Sequence, residues 1–281
     1  MEESRMFIGF LTAPLRDWSL EKIVEWASTN NFKGLEVLVS PSLKQIDVDR
    51  VLAGGAGEIR RIFSGKSLKI SSLAFYSVRI LEDEAEQKYL LRVIEAAQAL
   101  DVNVVCTLAG GPVKGKDKMQ TLREDFPRVF GPIVDAAREC GVKIALENWY
   151  ATNLQGLDHF QAAFESIPDK TLGLNFDPSH LFWQQIDYIE AVHRFGSRIY
   201  HTHAKDTEIL PFKLRQVGVL GRGWWRYRIP GWGGINWRSY ITALKEVGYD
   251  YVLSIEHEDP FFSPEDGLIN GRKFIEVFLS I

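Results

Sequence analysis

The sequence has little cysteine, no long apolar run and no excess of positive charge. Its two cysteines, Cys106 and Cys140, are too few for a disulfide framework or a cysteine-rich zinc site, so we expect a reducing, cytoplasmic environment. No apolar run approaches the roughly 18 residues of a membrane helix, which argues against a membrane partner. The formal net charge of −4 argues against general binding to nucleic acid.

Short apolar runs alternate with amphipathic segments along the whole chain of 281 residues. The runs are rich in Val, Ile, Leu and Phe, as is typical of buried parallel strands. The segments between them keep one apolar face at helical spacing. Eight predicted strands lie at residues 6–12, 35–39, 70–76, 102–108, 142–147, 172–176, 199–203 and 251–256. We therefore predict an α/β fold, a (β/α)8 TIM barrel that forms a single domain over residues 1–281.

A doubly wound open sheet would produce a similar alternation of strands and helices. Polar residues at the ends of the last four predicted strands decide between the two folds. These residues are Glu147, Asp177, His203 and Glu256. A closed barrel brings such strand ends together on the face where TIM-barrel active sites lie, whereas an open sheet separates the strands at its edges. The barrel is therefore the favoured fold.

The same four residues predict a metal site. Carboxylates that converge without a partner repel one another and are costly to bury, and a divalent cation removes that conflict. Three carboxylates with one imidazole suit Mn²⁺, with Mg²⁺, Co²⁺ and Zn²⁺ as alternatives. We therefore predict Glu147, Asp177, His203 and Glu256 as the ligands of one metal ion. Open coordination positions on that ion would bind the oxygens of a substrate and polarise its carbonyl.

Further polar and aromatic residues surround these strand ends. His201 alternates with His203 on one strand, and we interpret it as a buried polar residue bonded to its neighbours. Residues 205–236 are predicted to form a long irregular loop over the active-site face. Trp rings stack on the apolar faces of sugars, and Arg donates to hydroxyl or carboxylate groups. The predicted substrate-binding residues are His180, Lys205, Trp224, Trp225 and Arg228.

The aromatic residues of this loop have a second interpretation. They would also be suited to packing against another subunit, which makes a homo-oligomer an alternative to a substrate-binding role. Both interpretations stay open at this point.

Several motifs together resemble the xylose isomerase-like barrels grouped as sugar phosphate isomerases/epimerases, which include the ketose 3-epimerases. The motifs are ALEN at 145–148, DPSH at 177–180, HTHAKD at 201–206, PGWGGINW at 230–237 and SIEH at 254–257. The resemblance covers essentially the whole chain. It implies a single divalent metal, often Mn²⁺, on the four ligands named above. It also implies that Glu147 and Glu256 act as the catalytic acid–base pair.

The chain also departs from these relatives. The ketose 3-epimerases carry an Arg six residues after the ligand His, where this chain has Ile209. An aromatic segment at 221–232 stands in its place, and Asn236 replaces a frequent Asp before the next helix. Both Asn and Asp cap helices well, so that last change is expected to be neutral. Because the residues expected to contact substrate differ from those of the ketose 3-epimerases, a simple ketose substrate is in doubt.

The function favoured by these features is a sugar or keto-sugar isomerase or epimerase. It would abstract a proton next to a carbonyl through a metal-stabilised enediolate. The first alternative is a lyase or dehydratase acting on a 3-keto-glycoside or keto-inositol, because the same carbanion can expel a leaving group. An endonuclease IV-like nuclease is less favoured, because it needs more histidines than the six present. A non-catalytic sugar-binding protein is the remaining alternative.

Overall fold

Eight parallel strands form a closed barrel in this computed structural model, which describes residues 6–43 and 45–279. The barrel strands are β1 (Phe7–Leu11), β2 (Gly34–Leu38), β3 (Lys69–Phe75), β4 (Val104–Leu108), β5 (Lys143–Glu147), β6 (Leu172–Phe176), β7 (Ile199–Ala204) and β10 (Val252–Ile255). Their order around the barrel is β1-β10-β7-β6-β5-β4-β3-β2, and β2 closes the ring on β1. The predicted TIM barrel is confirmed.

Helices follow the strands and form the outer layer. They are α1 (Leu20–Thr29), α2 (Val48–Arg50), α3 (Ala56–Ile62), α4 (Glu84–Ala99), α5 (Lys118–Glu124), α6 (Phe126–Glu139), α7 (Leu157–Ser166), α8 (Pro178–Phe182), α9 (Tyr188–Phe195), α10 (Pro211–Val217), α11 (Trp237–Glu246) and α12 (Pro264–Leu279). Asn236 caps the N-terminus of α11, and its side chain accepts from the Ser239 amide at 3.0 Å, as expected for a cap. Gly141 ends α6 with a φ of 70°, the left-handed conformation that favours glycine. Among the described residues, no helix is both long and apolar enough to cross a membrane.

The core lies mainly between the strands and the helices. Inside the barrel, a smaller apolar cluster fills the space among the strands: Leu11, Ala74, Val104, Cys106 and Ala145. Other inward-facing positions are polar and buried, including Glu36 on β2, Asn175 on β6 and Ser254 on β10. Strand pairing places Asn175 opposite Glu147 and His201, and Ser254 opposite His203. The barrel interior therefore carries a connected polar region.

Residues 205–236 are more regular than expected. Strand β8 (Asp206–Ile209) pairs antiparallel with β9 (Trp225–Arg228), and α10 lies between them. The expectation of an irregular loop was wrong here. Along Trp225–Arg228, successive side chains point to opposite faces, as in any strand. In the observed pairing with β8, Tyr227 lies opposite Thr207.

Candidate metal centre

The four predicted ligands lie together at the carboxyl ends of their strands. Glu147 ends β5, Asp177 follows β6, His203 lies near the end of β7, and Glu256 follows β10. Their ligand atoms all lie within 4.8 Å of one another. Nδ1 of His203 lies 3.0 Å from Glu256 Oε2, 3.2 Å from Glu147 Oε1 and 3.8 Å from Asp177 Oδ2. One imidazole nitrogen thus faces three carboxylates.

Asp177 has one oxygen committed to the fold and one that is not. Its Oδ1 accepts from the Ser179 amide at 2.8 Å and so caps α8. The Asn148 side chain holds the Asp177 backbone, donating to its carbonyl at 2.8 Å and accepting from its amide at 2.9 Å. Asp177 Oδ2 is buried and accepts no hydrogen bond within the described part of the chain. Such an oxygen, facing Nδ1 of His203, fits a cation ligand.

Lys205 supplies the positive charge beside these carboxylates. Its buried ammonium donates to Glu256 Oε2 at 2.6 Å and to Glu258 Oε2 at 2.9 Å, and it lies 3.2 Å from Asp177 Oδ2. Burial opposes its charged form, but the attraction of Glu256, Asp177 and Glu258 raises the pKa of Lys205 well above its ordinary value. The lysine is therefore a permanent cation at the rim of the cluster.

Charge also controls the ionisation of the other members. Burial and the neighbouring Glu256 favour the neutral form of Glu147, yet His203 and His180 outweigh them and lower the pKa of that carboxyl. Burial likewise opposes ionisation of Glu256, but Lys205 and His203 lower its pKa well below the ordinary value. Burial lowers the pKa of His203, and the carboxylates of Glu256, Glu36 and Glu147 raise it far more. Both glutamates are therefore ionised at neutral pH.

His180 connects the two sides of the cluster. Its Nε2 lies 3.3 Å from Glu147 Oε1 and 3.3 Å from the Lys205 ammonium. Its Nδ1 lies 2.8 Å from the hydroxyl of Tyr227 on β9. The hairpin of β8 and β9 thus reaches the cluster through Tyr227. We did not identify Tyr227 from the sequence, although the strand alternation at 225–228 places it on the face opposite Arg226 and Arg228.

The predicted substrate residues of the hairpin have different surroundings. Trp225 stacks on Trp183, with ring centroids 4.5 Å apart and an angle of 13° between the planes. Trp224 is only 4% exposed, and its indole donates to the Val219 carbonyl at 3.2 Å. The burial of Trp224 favours a packing role. Substrate contact stays a prediction for both residues, and Trp225 is the better suited of the two.

Arg228 is held in ion pairs. It donates to Asp259 Oδ2 at 2.6 Å and to Glu208 Oε2 at 2.5 Å, and both carboxylates raise its pKa against the effect of burial. Its predicted contact with substrate stays a prediction. In the described structure its guanidinium fastens β9 to the segment after β10.

Three further residues, missed by the sequence analysis, surround the other nitrogen of His203. Nε2 lies 3.1 Å from Glu36 Oε2, 3.2 Å from the Tyr76 hydroxyl and 3.0 Å from Asn175 Nδ2. A charged Glu36 inside the apolar run Gly34–Leu38 was the available signal. His201, which we expected to be a buried polar residue, lies 2.9 Å from Asn175 Oδ1 through its Nδ1. Burial lowers the pKa of His201 to about 4, so it is neutral.

Known proteins share this fold across nearly the whole chain. The family model described as the xylose isomerase-like TIM barrel matches residues 24–277. The solved structure of IOLI protein with a binding zinc atom superimposes with a TM-score of 0.76 at 20% identity, over 98% of each chain. A structure of L-ribulose 3-epimerase superimposes with a TM-score of 0.73 at 18% identity, covering 98% of this chain and 95% of that one.

Sequence relatives include proteins with and without a named activity. The uncharacterized protein YfiH of Bacillus subtilis is 30% identical over 63% of this chain and 66% of its own length, or about two thirds. The inosose isomerase of Halalkalibacterium halodurans is 26% identical over 93% of this chain and 89% of its own. The inosose dehydratase of Clostridium perfringens is 25% identical over 59% of this chain and 57% of its own. Since the family model matches residues 24–277, the chain belongs to the xylose isomerase-like TIM barrel family.

Proposed function

We propose that this protein is a divalent-metal-dependent isomerase or epimerase of a sugar or keto-sugar. The observation that carries the proposal is the pair of carboxylates, Glu147 and Glu256, that approach Nδ1 of His203 from β5 and from the end of β10. Two ionised carboxylates from different strands can serve a substrate carbon from two sides. The relatives named inosose isomerase and L-ribulose 3-epimerase support this class of reaction.

The proposed cofactor is one divalent ion on Glu147, Asp177, His203 and Glu256, with Mn²⁺ preferred. Three carboxylates and one imidazole form a donor set that suits Mn²⁺, and Asp177 Oδ2 has no hydrogen bond to give up. The zinc atom of the IOLI structure supports a bound metal ion in this fold. When bound, such an ion supplies Lewis-acid stabilisation of negative charge on a substrate oxygen.

The proton transfers are proposed for the two glutamates. One glutamate removes the proton from the carbon beside the substrate carbonyl and later releases it to solvent. The other takes up a proton from solvent and delivers it to the opposite face of the same carbon. The lowered pKa values of both carboxyls keep them ionised and able to accept a proton at neutral pH. His180 and Lys205 connect the pair, because His180 Nε2 lies 3.3 Å from both Glu147 Oε1 and the Lys205 ammonium. His180 and Lys205 would orient the substrate oxygens.

A dehydratase or lyase acting on a keto-inositol or a 3-keto-glycoside is the second candidate. It is favoured by a specific observation: the Tyr227 hydroxyl lies 2.8 Å from His180 Nδ1 and its ring lies 4.3 Å from the Lys205 ammonium. A hydroxyl in that position could protonate a leaving group after the same proton abstraction. The relative named inosose dehydratase supports this alternative.

The partner is proposed to be a small sugar, with no nucleic acid or membrane partner. The net charge of −4 supports the first exclusion, and it also counts against the endonuclease IV-like alternative. A cytoplasmic location and a homo-oligomeric state stay predictions. A non-catalytic sugar-binding protein is disfavoured by the two ionised glutamates, because binding alone does not need a base beside the ligand.

The test is solvent exchange with a panel of ketoses, inososes and 3-keto-glycosides in D₂O, followed by NMR. Deuterium on one substrate carbon, with no loss of a group, is expected for an epimerase or isomerase. Glu147→Gln and Glu256→Gln should each lower turnover at least about 100-fold when compared at equal metal content. The matched control is Glu258→Gln, because Glu258 contacts Lys205 but lies outside the four-ligand cluster.

Two outcomes would change the assignment. Loss of water or of an aglycone would assign the dehydratase or lyase instead. Near wild-type exchange by either metal-loaded glutamine variant would show that another residue moves the proton.

A further inference from the structure

Glu36 is a buried carboxylate on the far side of the barrel from most of the predicted ligands. It lies on β2, is fully buried, and has no lysine or arginine among the partners that the described residues provide. An isolated charge in this position would be costly to bury, so its partners must compensate for it. Its nearest ring partner is His203, whose Nε2 lies 3.1 Å from Oε2 and 3.3 Å from Oε1.

We propose that Glu36 is a positioning residue that orients His203 and keeps its Nδ1 directed at the metal ligands. The two ring nitrogens face opposite sides: Nε2 faces Glu36, and Nδ1 faces Glu147 and Glu256. A hydrogen bond from Nε2–H to Glu36 selects the tautomer whose Nδ1 lone pair is free to bind a cation. This inference rests on the proposed metal site, but it concerns a residue outside the four ligands.

The orientation of Glu36 is itself held by neutral hydroxyl donors. The Ser254 hydroxyl donates to Glu36 Oε2 at 2.7 Å, and the Tyr76 hydroxyl donates to Oε1. Asn175 Nδ2 lies 3.0 Å from the Tyr76 oxygen, so the tyrosine accepts from Asn175 while it donates to Glu36. These donors fix the position of the Glu36 carboxylate, which can therefore fix the orientation of the His203 ring.

A second metal ion on Glu36, His201 and His203 is the competing explanation, since these side chains also place ligand atoms within 4.8 Å of one another. The hydrogen bonds argue against it. His201 Nε2 lies 3.9 Å from Glu36 Oε2, and it lies 3.3 Å from the Ser72 hydroxyl. His201 Nδ1 already has a partner, the side-chain oxygen Oδ1 of Asn175 at 2.9 Å. These groups satisfy one another without an ion.

The experiment measures metal binding by the full-length protein, using Mn²⁺ and Co²⁺ in competition with a chelator. Metal stoichiometry comes from elemental analysis. Wild type is expected to bind one ion. Glu36→Gln keeps the shape but weakens the hydrogen bond to Nε2, and should lower metal affinity about 10- to 100-fold. The visible spectrum of its Co²⁺ form should also change, because the imidazole ligand is no longer held in one orientation.

Tyr76→Phe is the second variant, in case Glu36→Gln does not fold. It removes a donor to Glu36 while leaving the carboxylate in place, and should lower metal affinity by a smaller factor, about 2- to 10-fold. Thr202→Val is the matched control. Thr202 lies on the same strand as His203, and its hydroxyl donates to the Val252 carbonyl on β10 at 2.9 Å. The variant therefore loses a buried hydrogen bond without removing any group that contacts the ring. We expect its metal affinity to stay within twofold of wild type.

The outcomes separate this inference from the proposed function. Absence of metal binding by wild type would overturn the proposed metal site. One ion bound equally well by wild type, Glu36→Gln and Tyr76→Phe would overturn the positioning role alone. Two ions in wild type and one in Glu36→Gln would also overturn it, in favour of a second metal site. An affinity loss in both variants, with Thr202→Val unchanged, supports the positioning role.

Discussion

Lys205 is the side chain on which the charge of the site depends. Its ammonium is almost completely buried and contacts Glu256, Glu258 and Asp177. Truncating one partner of a buried ion pair leaves the other charge without compensation. A divalent metal on the same carboxylates would replace part of that compensation. The stability of a lysine variant should therefore depend on metal.

We expect Lys205→Met to lower the free energy of unfolding of the metal-free protein by about 3 kcal/mol, and that of the metal-loaded protein by less. The measurement is urea unfolding with and without Mn²⁺. Lys118→Met is the matched control, because Lys118 is half-buried and its partners are neutral, the Tyr150 carbonyl and Gln155. An equal loss of unfolding free energy for Lys205→Met in the metal-free and metal-loaded forms would contradict the idea that Lys205 and the metal compensate the same carboxylates.

At the scale of single elements, the hairpin of β8 and β9 connects the stacked tryptophans Trp183 and Trp225 to the site. Tyr227 contacts His180, and Trp225 stacks on Trp183 next to it. The hairpin is anchored at its base by Asp206, which accepts from the Trp237 indole at 2.8 Å and from the Ile235 amide at 3.0 Å. Burial raises the pKa of Asp206 in spite of these donors. The position of the hairpin thus depends on a tightly packed base.

Trp225→Ala should raise KM about fivefold while metal content stays unchanged, because a stacked aromatic ring contributes about 1 kcal/mol. Steady-state kinetics on the substrate found by NMR, with metal analysis, would measure this. Phe212→Ala is the control, since Phe212 is an exposed aromatic residue on α10 within the same segment. Unchanged kinetics together with a changed oligomeric state would instead assign Trp225 to a subunit interface.

Gly233→Ala should destabilise the base of the hairpin by about 2 kcal/mol. A Cβ at Gly233 would lie 2.2 Å from Asp206 Oδ1 and 2.5 Å from the Thr207 carbonyl oxygen, so the backbone would have to move. Thermal unfolding of the variant measures the loss. In Gly131→Ala, on α6, the new methyl group has nothing within 4 Å, and the change should be neutral or stabilising. Equal stability of both variants would refute the argument from close packing.

For the whole molecule, closure of the barrel is what assembles the site. The ligands come from four strands, and β10 reaches the others only because it lies between β1 and β7. A ligand that binds the folded barrel and not the unfolded chain must stabilise the entire domain. Metal binding should therefore raise the free energy of unfolding of the whole domain.

Removing metal with a chelator should lower the melting temperature, and added Mn²⁺ should restore it in a concentration-dependent way. At a free concentration of about 100 times Kd, the expected stabilisation is about 2.7 kcal/mol. Calorimetry of wild type and Glu256→Gln measures this, and the variant should show a much smaller shift. A melting temperature that changes neither with chelator nor with added Mn²⁺ would argue against a metal site.

Patterns along the sequence were enough to predict the barrel and the residues at its strand ends. The strand at 172–176 was predicted with the bounds that the structure has, and Asn236 was recognised as a helix cap. These features are local, because strand and helix periodicity and capping involve residues close together in the chain. The convergence of Glu147, Asp177, His203 and Glu256 followed from the barrel, since parallel strands end on one face.

Only the tertiary structure decided which residues support that site. Glu36 and His203 are separated by 167 residues, and their contact depends on the register of strands on opposite sides of the ring. The pairing of Arg228 with Asp259 and the contact of Tyr227 with His180 likewise join distant segments. A sequence records which side chains face inward, but the distances between them are determined by barrel closure and strand register, which many separate contacts fix together.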